Sequence, residues 1–469
     1  MTGARPAPRW NPVPIAIGVY AALIATARSS ATAALLAAPL ALAGIAWWTL
    51  SGPRRWIAGF IAAAILLPPL PIALGDTGPH PCLLFGVFGI LAGVIYRRAW
   101  QTTSNALTPP ILTLSCALIA SLVPAALFSG PQIALQSFAR ILLFGIGVYL
   151  FFYETHMRDD ARPISLRPLY WAASIAAAIA CFDFYYQLPA PAGFAQQFIS
   201  TDTVVYRRAQ GFFYDASTLG NFCAFFLVLV VAAFTRRTKD TQIPRILLLI
   251  GGITFSGALI FSYSRASIAN LVLALAALAW VDRARIRWGR AIPLAALSIA
   301  AAVAVSYLFL PDLAKLSWIR LSGSIMYLPD YGESVFSGRF ESWRVLLRFL
   351  GEHPWHAIFG IGYKTLPYSD YIGQTVIADN MYLSMLIETG VVGLGALIWF
   401  NVAVLRSARK TMRDSRPISS LLGTWMFCFW LGQCVQMLFS DLLTYWRVFP
   451  IYFLVMAWVV RGTSPAQAQ

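Results

Sequence analysis

Long apolar runs separated by short polar ones recur along the whole chain. Fourteen of them, at about 12–28, 31–50, 56–74, 82–97, 108–128, 132–152, 168–188, 219–235, 245–263, 266–281, 291–310, 380–405, 418–440 and 445–461, are roughly 16 to 24 residues each. Runs of that length cross a bilayer core as helices with little or some tilt. The pattern predicts an all-α, polytopic integral membrane protein with about fourteen transmembrane helices. Most connections are short, but residues 189–218 and 311–379 form two long ones. Such loops are uncommon unless functional or disordered. Taken together they are rich in Tyr, Trp, Phe and Gly, unlike a disordered tail. The chain, 1–469, therefore reads as one transmembrane domain carrying two elaborated loops.

Composition strengthens this reading. The chain is 59% hydrophobic and only 12% charged, whereas soluble domains carry about 25% charged residues. A net charge of +16 would suit a nucleic-acid binder, so its distribution decides the matter. Counting alternate connections, 23 of the 35 Lys and Arg fall on one side, with 6 of the 19 Asp and Glu. The positive-inside rule places that side, with both termini, in the cytoplasm and the two long loops outside. The basic charge thus reflects topology and implies no nucleic acid. No cleavable signal peptide is expected, because the first run lacks a small-residue cleavage site and another span follows at once. Cys82, Cys116, Cys181, Cys223, Cys428 and Cys434 show no paired spacing and read as packing residues.

Polar chemistry gathers on the outer side. Arg207 and Arg208 open a segment running through Gly211, Tyr214 and Asp215 into a span; Tyr263, Ser264 and Arg265 form a turn between two spans. In the large loop, Arg339 to Leu350 reads as an amphipathic helix with Phe340, Trp343, Leu347 and Leu350 on one face and Arg344 and Arg348 nearby. That apolar face is expected on the membrane surface. Arginines here oppose the orientation rule, and a planar guanidinium makes forked hydrogen bonds to phosphate oxygens. The competing role is pairing with Asp202, Asp215, Glu333, Glu341 or lipid headgroups. Arg140 lies within the sixth span, where an ionisable group marks a functional site unless it snorkels or pairs with Asp183. Asp379 and Asn380 precede a helix, so Asp379 is either its N-cap or a general base. His353 and His356 are the other candidate bases in this loop, although a His-Pro after a helix is more often a structural turn. There is no Walker loop, no HExxH sequence and no Gly-x-Ser-x-Gly elbow.

Five of these segments, in order, resemble the O-antigen ligase and O-antigen polymerase superfamily of bacterial membrane glycosyltransferases. They are RAQGFFYDASTLGNF, SYSRAS, GRFESWRVLLRFLGEHPWHAIFGIG, DNMYLSMLIETGVVGLGAL and SDLLTYWRVFPIYF, spanning Arg207 to Arg447. The resemblance implies a GT-C-like fold in the bacterial inner membrane and an inverting, metal-independent reaction on the periplasmic face, without a cofactor. It implies an undecaprenyl-diphosphate-linked oligosaccharide as donor and acceptor, membrane lipid around it, and a chain-length regulator protein as a possible partner. Arg208 and Arg265 would hold the diphosphate in catalysis with Asp379. Arg140, Arg207, Arg339, Arg344, Asn380, Tyr263, Tyr382 and Arg447 would contribute to binding. Ligases of the family usually carry His-Asn where this chain has Asp379–Asn380. That departure favours polymerisation of repeat units over transfer to lipid A core or to protein. A transporter or flippase for the same glycan is the reading from another class, favoured by Arg140 and Asp183.

Overall fold

The computed structural model describes residues 29–70, 79–101, 103–157, 165–189, 196–200, 205–236, 243–286 and 339–461, with residues 19, 20, 26 and 289. The expected span 291–310, nearly all of 12–28, and the large loop up to residue 338 lie outside them. Within them the apolar runs are helices. The chain opens with α1 (Ser30–Leu50), α2 (Arg55–Leu66) and α3 (Cys82–Ile95). Next come α4 (Thr108–Ala120), α5 (Leu122–Ser129), α6 (Pro131–His156) and α7 (Arg167–Tyr186). They are followed by α8 (Ala216–Arg236), α9 (Arg245–Ser262) and α10 (Arg265–Val281). Short α11 (Arg339–Glu352) and α12 (His356–Phe359) lead to α13 (Met381–Met412), α14 (Pro417–Gln436) and α15 (Phe449–Arg461). Among the described residues seven helices, counting α4 and α5 as one, are long and apolar enough to cross a membrane, and five apolar helices are shorter. The protein is thus a multi-pass membrane protein.

One element departs from the all-α expectation. In the first long loop β1 (Phe198–Ser200) pairs antiparallel with β2 (Val205–Arg207), Ile199 opposite Tyr206. β-branched and aromatic residues favour such pairing.

Two compact units are present, one comprising residues up to 60 with 84–97, the other the remainder. In the first, Trp56 of α2 lies so close to Gly89 of α3 that a Cβ there would stand 2.6 Å from the indole. The Tyr96 hydroxyl donates to the Leu50 carbonyl at 2.9 Å.

The second unit is built around α8. Its apolar residues run all round the helix, as in a buried helix, and its side chains from Thr218 to Val230 are buried. Phe225 packs on Trp425, Phe429 and Tyr452, and the Trp425 indole donates to the Phe225 carbonyl at 2.6 Å. Below Thr218 a buried amide cluster ties four helices together. Asn221 of α8 donates to Gln433 and Gln436 of α14 at 2.6 and 2.8 Å, and Asn270 of α10 donates to the same two at 3.1 and 2.8 Å. The Tyr452 hydroxyl of α15 completes the cluster on Asn221. Interhelical hydrogen bonds of this kind hold helices where apolar packing alone cannot select a neighbour.

Two expected spans are broken, each for a chemical reason. The run 108–128 divides at Ser121 into α4 and α5. Pro124 has no N–H for the Ala120 carbonyl four residues back, and at the break the Ser121 hydroxyl donates to the Leu118 carbonyl at 2.7 Å. α13 bends at Gly390, whose φ of 72° no helix contains. A continuous helix would pair the carbonyls of Ile387 and Glu388 with Val391 and Val392. Instead they accept from the backbone amides of Ile361 and Gly362, at 3.0 and 2.9 Å. Gly360 (φ 73°) and Gly362 (φ 116°) let that loop approach. The Tyr363 amide donates to the Ser121 hydroxyl at 3.2 Å, so both breaks grip one loop.

This grip sets the depth of the loop. Gly390 lies nine residues from the start of α13 and Ser121 eight from the end of α5, about 12–14 Å along each axis at 1.5 Å per residue. The large loop therefore re-enters the bundle. Irregular backbone is tolerated there when protein partners satisfy it.

The loop also has its own apolar core, of Leu346, Phe349, Ile361, Leu366, Val376 and Ile387. That corrects the expected face of α11. Leu346 and Phe349 point inward with Val345 and Leu350 against them, whereas Leu347 is 58% exposed and Phe340 37%. The folded-back loop offers α11 an apolar partner that spacing along one helix cannot reveal.

Gly390→Ala should lower stability by about 1–3 kcal/mol from backbone strain alone, since φ 72° with ψ −174° suits only glycine, and by more because its Cβ would stand 2.6 Å from the Ile358 carbonyl carbon. Gly395→Ala, with nothing within 4 Å of its Cβ, should be neutral or mildly stabilising. Thermal melting of the purified protein by size-exclusion fluorescence distinguishes the two.

Candidate active site

A cavity of about 640 Å³ opens in the second unit. Its walls come from connections that charge counting places on one side of the membrane: the residues before α3, those before α8, the re-entrant loop, the start of α13, and the turn between α14 and α15. α6 adds Arg140 from within the bundle.

One wall is cationic. Arg208 lies just after β2, and its Nε donates to the Ser262 carbonyl at 2.8 Å. That bond fixes the plane of the guanidinium. Its two terminal nitrogens have no hydrogen-bond partner among the described residues, and the side chain lines the cavity. Burial lowers the Arg208 pKa; the Asp215 carboxylate offsets this in part, and the charge of Arg265 lowers it further. Arg265, the first residue of α10, is within electrostatic reach of both Arg208 and Arg339. Arg339 lines the cavity from α11. Asp215 itself is occupied as a cap of α8, accepting from the Thr218 amide at 2.8 Å and the Ser217 amide at 3.3 Å. The N-termini of α8 and α13 both face this space, and each adds a partial positive charge of about half a unit.

Arg447 is buried and lines the cavity too, anchored by donating to the carbonyls of Phe212 and Phe213. Burial draws its pKa down to about 10, which leaves it charged at neutral pH. His80, nearby, is held neutral, its pKa lowered to about 3 by burial and by the charge of Arg447. Its ring is committed on both sides, Nδ1 accepting from the Cys82 amide at 3.2 Å and Nε2 bonded to the Leu67 carbonyl at 3.0 Å.

Arg140 does not pair with Asp183. It donates to the Tyr368 hydroxyl of the re-entrant loop and lies over that ring. Asp183 instead holds Arg207 in a buried ion pair at 3.0 Å and accepts from the amides of Gln210 and Gly211 at 3.2 and 3.0 Å. Arg207 is therefore a brace for the loop bearing Arg208, outside the cavity lining. Four other expected binding residues lie elsewhere. Arg344 is exposed and paired with Glu341 at 2.6 Å. Tyr263 is buried at the end of α9 with φ 50°. The Tyr382 hydroxyl donates to the Cys434 carbonyl at 2.9 Å, joining α13 to α14. Asn380 is the helix cap. His353 and His356 pack against Phe349 away from the cavity, and His356 bonds Tyr371 at 3.1 Å.

A second stretch of the wall was not expected. Lys364 and Tyr368 of the loop, Glu388 of α13 and Asp441 of the α14–α15 turn all line it. Lys364 forms an ion pair with Asp441. Lysine on this side opposes the orientation rule just as the arginines do, and Glu388 is an ionisable group inside a span. Those signals were present in the sequence, but only folding brings the two together.

The alternatives for Asp379 separate cleanly. Asn380 is the N-cap of α13, accepting from the Leu383 amide at 3.1 Å. Asp379, one residue earlier with φ 45°, turns its carboxylate into the cavity. Its Oδ2 accepts from Arg339 Nε at 3.2 Å, and its side chain is 43% exposed. Oδ1 has no partner among the described residues. Asn380→Ala should therefore cost about 1 kcal/mol of stability, while Asp379→Ala leaves the melting temperature near that of the parent; denaturation of the purified proteins reads both.

Residues 247–398 match the family model described as O-antigen ligase. That stretch runs from α9 into α13 and contains Arg265, Arg339, Lys364, Asp379 and Glu388. No curated protein matches the chain. This part of the chain is therefore similar to the O-antigen ligase family.

Proposed function

We propose that the protein is an inverting membrane glycosyltransferase that polymerises oligosaccharide repeat units carried on undecaprenyl diphosphate. In this reading it lies in the bacterial inner membrane, termini cytoplasmic, with its cavity open to the periplasm. The observation that carries it is the single cavity holding Arg208, Arg339, Arg447 and Asp379, with Arg265 in electrostatic reach.

The chemistry follows from charge. A diphosphate leaving group gains negative charge as its bond to the anomeric carbon stretches, and fixed cations aimed at that charge stabilise the transition state. Arg208 is suited to this because its backbone bond orients it while its terminal donors stay available. Arg265 and the N-terminus of α8 add to the same field. Asp379 accepts the proton of the attacking hydroxyl through its open Oδ1, and Arg339 keeps the carboxylate in place. The new C–O bond forms as the bond to diphosphate breaks, with inversion, and undecaprenyl diphosphate departs. The arginines supply the charge compensation that this route requires without a metal ion.

The name of the matching family model favours a second reading, a ligase that transfers the same glycan to another acceptor. Transport of the glycan fits less well, since Arg140, the arginine within α6, joins the loop-built cavity through Tyr368. Arg208→Ala and Arg265→Ala should each reduce undecaprenyl diphosphate release by about 10²-fold or more with insertion intact. Asp379→Asn should fall by a comparable factor. The assay is purified protein in lipid nanodiscs with lipid-linked oligosaccharide. Longer lipid-linked products support polymerisation, transfer to another acceptor supports ligation, and unaltered release in both arginine variants sinks the proposal.

A further inference from the structure

A second stretch of the cavity wall plays no part in the reaction above, yet it is built from charged groups that are largely buried. Lys364 is 6% exposed and ion-paired with Asp441. An ammonium has three donors, and the other two have no hydrogen-bond partner among the described residues. Its φ of 57° places a lysine in the left-handed region. Tyr214 (φ 52°) and Asp379 (φ 45°) share that feature, and all three line the cavity. Backbone strain of this sort persists only where surrounding structure imposes it, and it concentrates at functional sites.

Glu388 is 1% exposed. Its Oε1 accepts from the Leu366 amide at 3.4 Å and its Oε2 from the Ser384 hydroxyl at 3.0 Å. Asp441 Oδ1 accepts from the Leu443 amide at 3.1 Å. A carboxylate offers about four acceptor sites, more than its bonds occupy in either residue. Lys364 and Arg140 balance Glu388 and Asp441 in formal charge. Tyr368 adds an aromatic face, with the Arg140 guanidinium 4.6 Å from its ring centre.

A diphosphate requires surplus positive charge, and this wall has none. A sugar hydroxyl both donates and accepts, so it requires carboxylate oxygens and N–H donors side by side on a neutral background. Inversion also places the attacking hydroxyl across the anomeric carbon from the departing diphosphate, hence away from Arg208 and Arg265. We propose that Lys364, Glu388 and Asp441 form the subsite for the hydroxyl-bearing sugar of the acceptor glycan, with Tyr368 against its ring. The assignment rests on the glycosyltransferase reading and locates the second substrate within it.

Separate donor and acceptor make the test possible. Lipid-linked oligosaccharide serves as donor, and the glycan freed from it by mild acid, which has no leaving group, serves as acceptor. Glu388→Gln preserves size and the capacity to accept from the Leu366 amide; Lys364→Met removes the open donors. Each should raise the KM for free glycan about tenfold or more. The donor KM and the slow release of undecaprenyl diphosphate to water should stay at parental values. An unchanged acceptor KM in Glu388→Gln, or donor and acceptor KM rising together, overturns the subsite while leaving the glycosyltransferase reading intact. If the parent protein releases no undecaprenyl diphosphate at all, that reading itself fails, and the subsite with it.

Discussion

The break in α13 at Gly390 is the constraint on which the site depends. A helix interrupted inside a bundle leaves carbonyls without donors, and at membrane depth water does not replace them cheaply. The amides of Ile361 and Gly362 fill that need. In doing so they fasten a loop into the bundle that would otherwise run over its surface. Lys364 and Tyr368 follow within six residues of that junction, and Val376 to Asp379 return along the same loop to start α13. Three glycines with positive φ make the approach possible. The Gly-x-Gly and Glu-Thr-Gly segments, separated in the chain, are two halves of one backbone contact.

Charge is divided between bracing and chemistry. Arg207 with Asp183, Arg236 with Asp282 and Arg461 with Glu154 are charged pairs whose carboxylates are almost fully buried. Removing either partner would strand a charge in a low dielectric, so each pair ties its elements together. Around the cavity the pattern changes. Arg208 satisfies one donor on a backbone carbonyl and Arg339 one on Asp379, and among the described residues the terminal donors of both have no hydrogen-bond partner. A buried pair neutralises its own field; a cation tethered by a carbonyl keeps its field for a ligand. This difference separates Arg207 from Arg208, adjacent in the chain and opposite in role.

Much of the site was legible before folding. Arginines where the orientation rule disfavours them singled out Arg208 and Arg339, the family resemblance named Arg447, and the rarity of charge within a span singled out Arg140; all four line the cavity. The same reasoning also selected Arg207 and Arg344, because a charge imbalance cannot say which guanidinium finds a carboxylate. Lys364 and Asp441 went unnoticed for the converse reason. They lie 77 residues apart in the chain, and neither has a local motif.

By itself the sequence determined what a solvent demands: which runs must be helices in lipid, which side bears the basic residues, and hence which loops share a face. Those properties depend on each segment's own transfer energy and need no partner. The tertiary structure alone decided that α13 bends, that the long loop turns back into the bundle, and that Asp379 lines the cavity beside Arg339. Each of these outcomes is settled by a hydrogen bond between residues distant in the chain. The energy of such a bond exists only after both ends have been brought together.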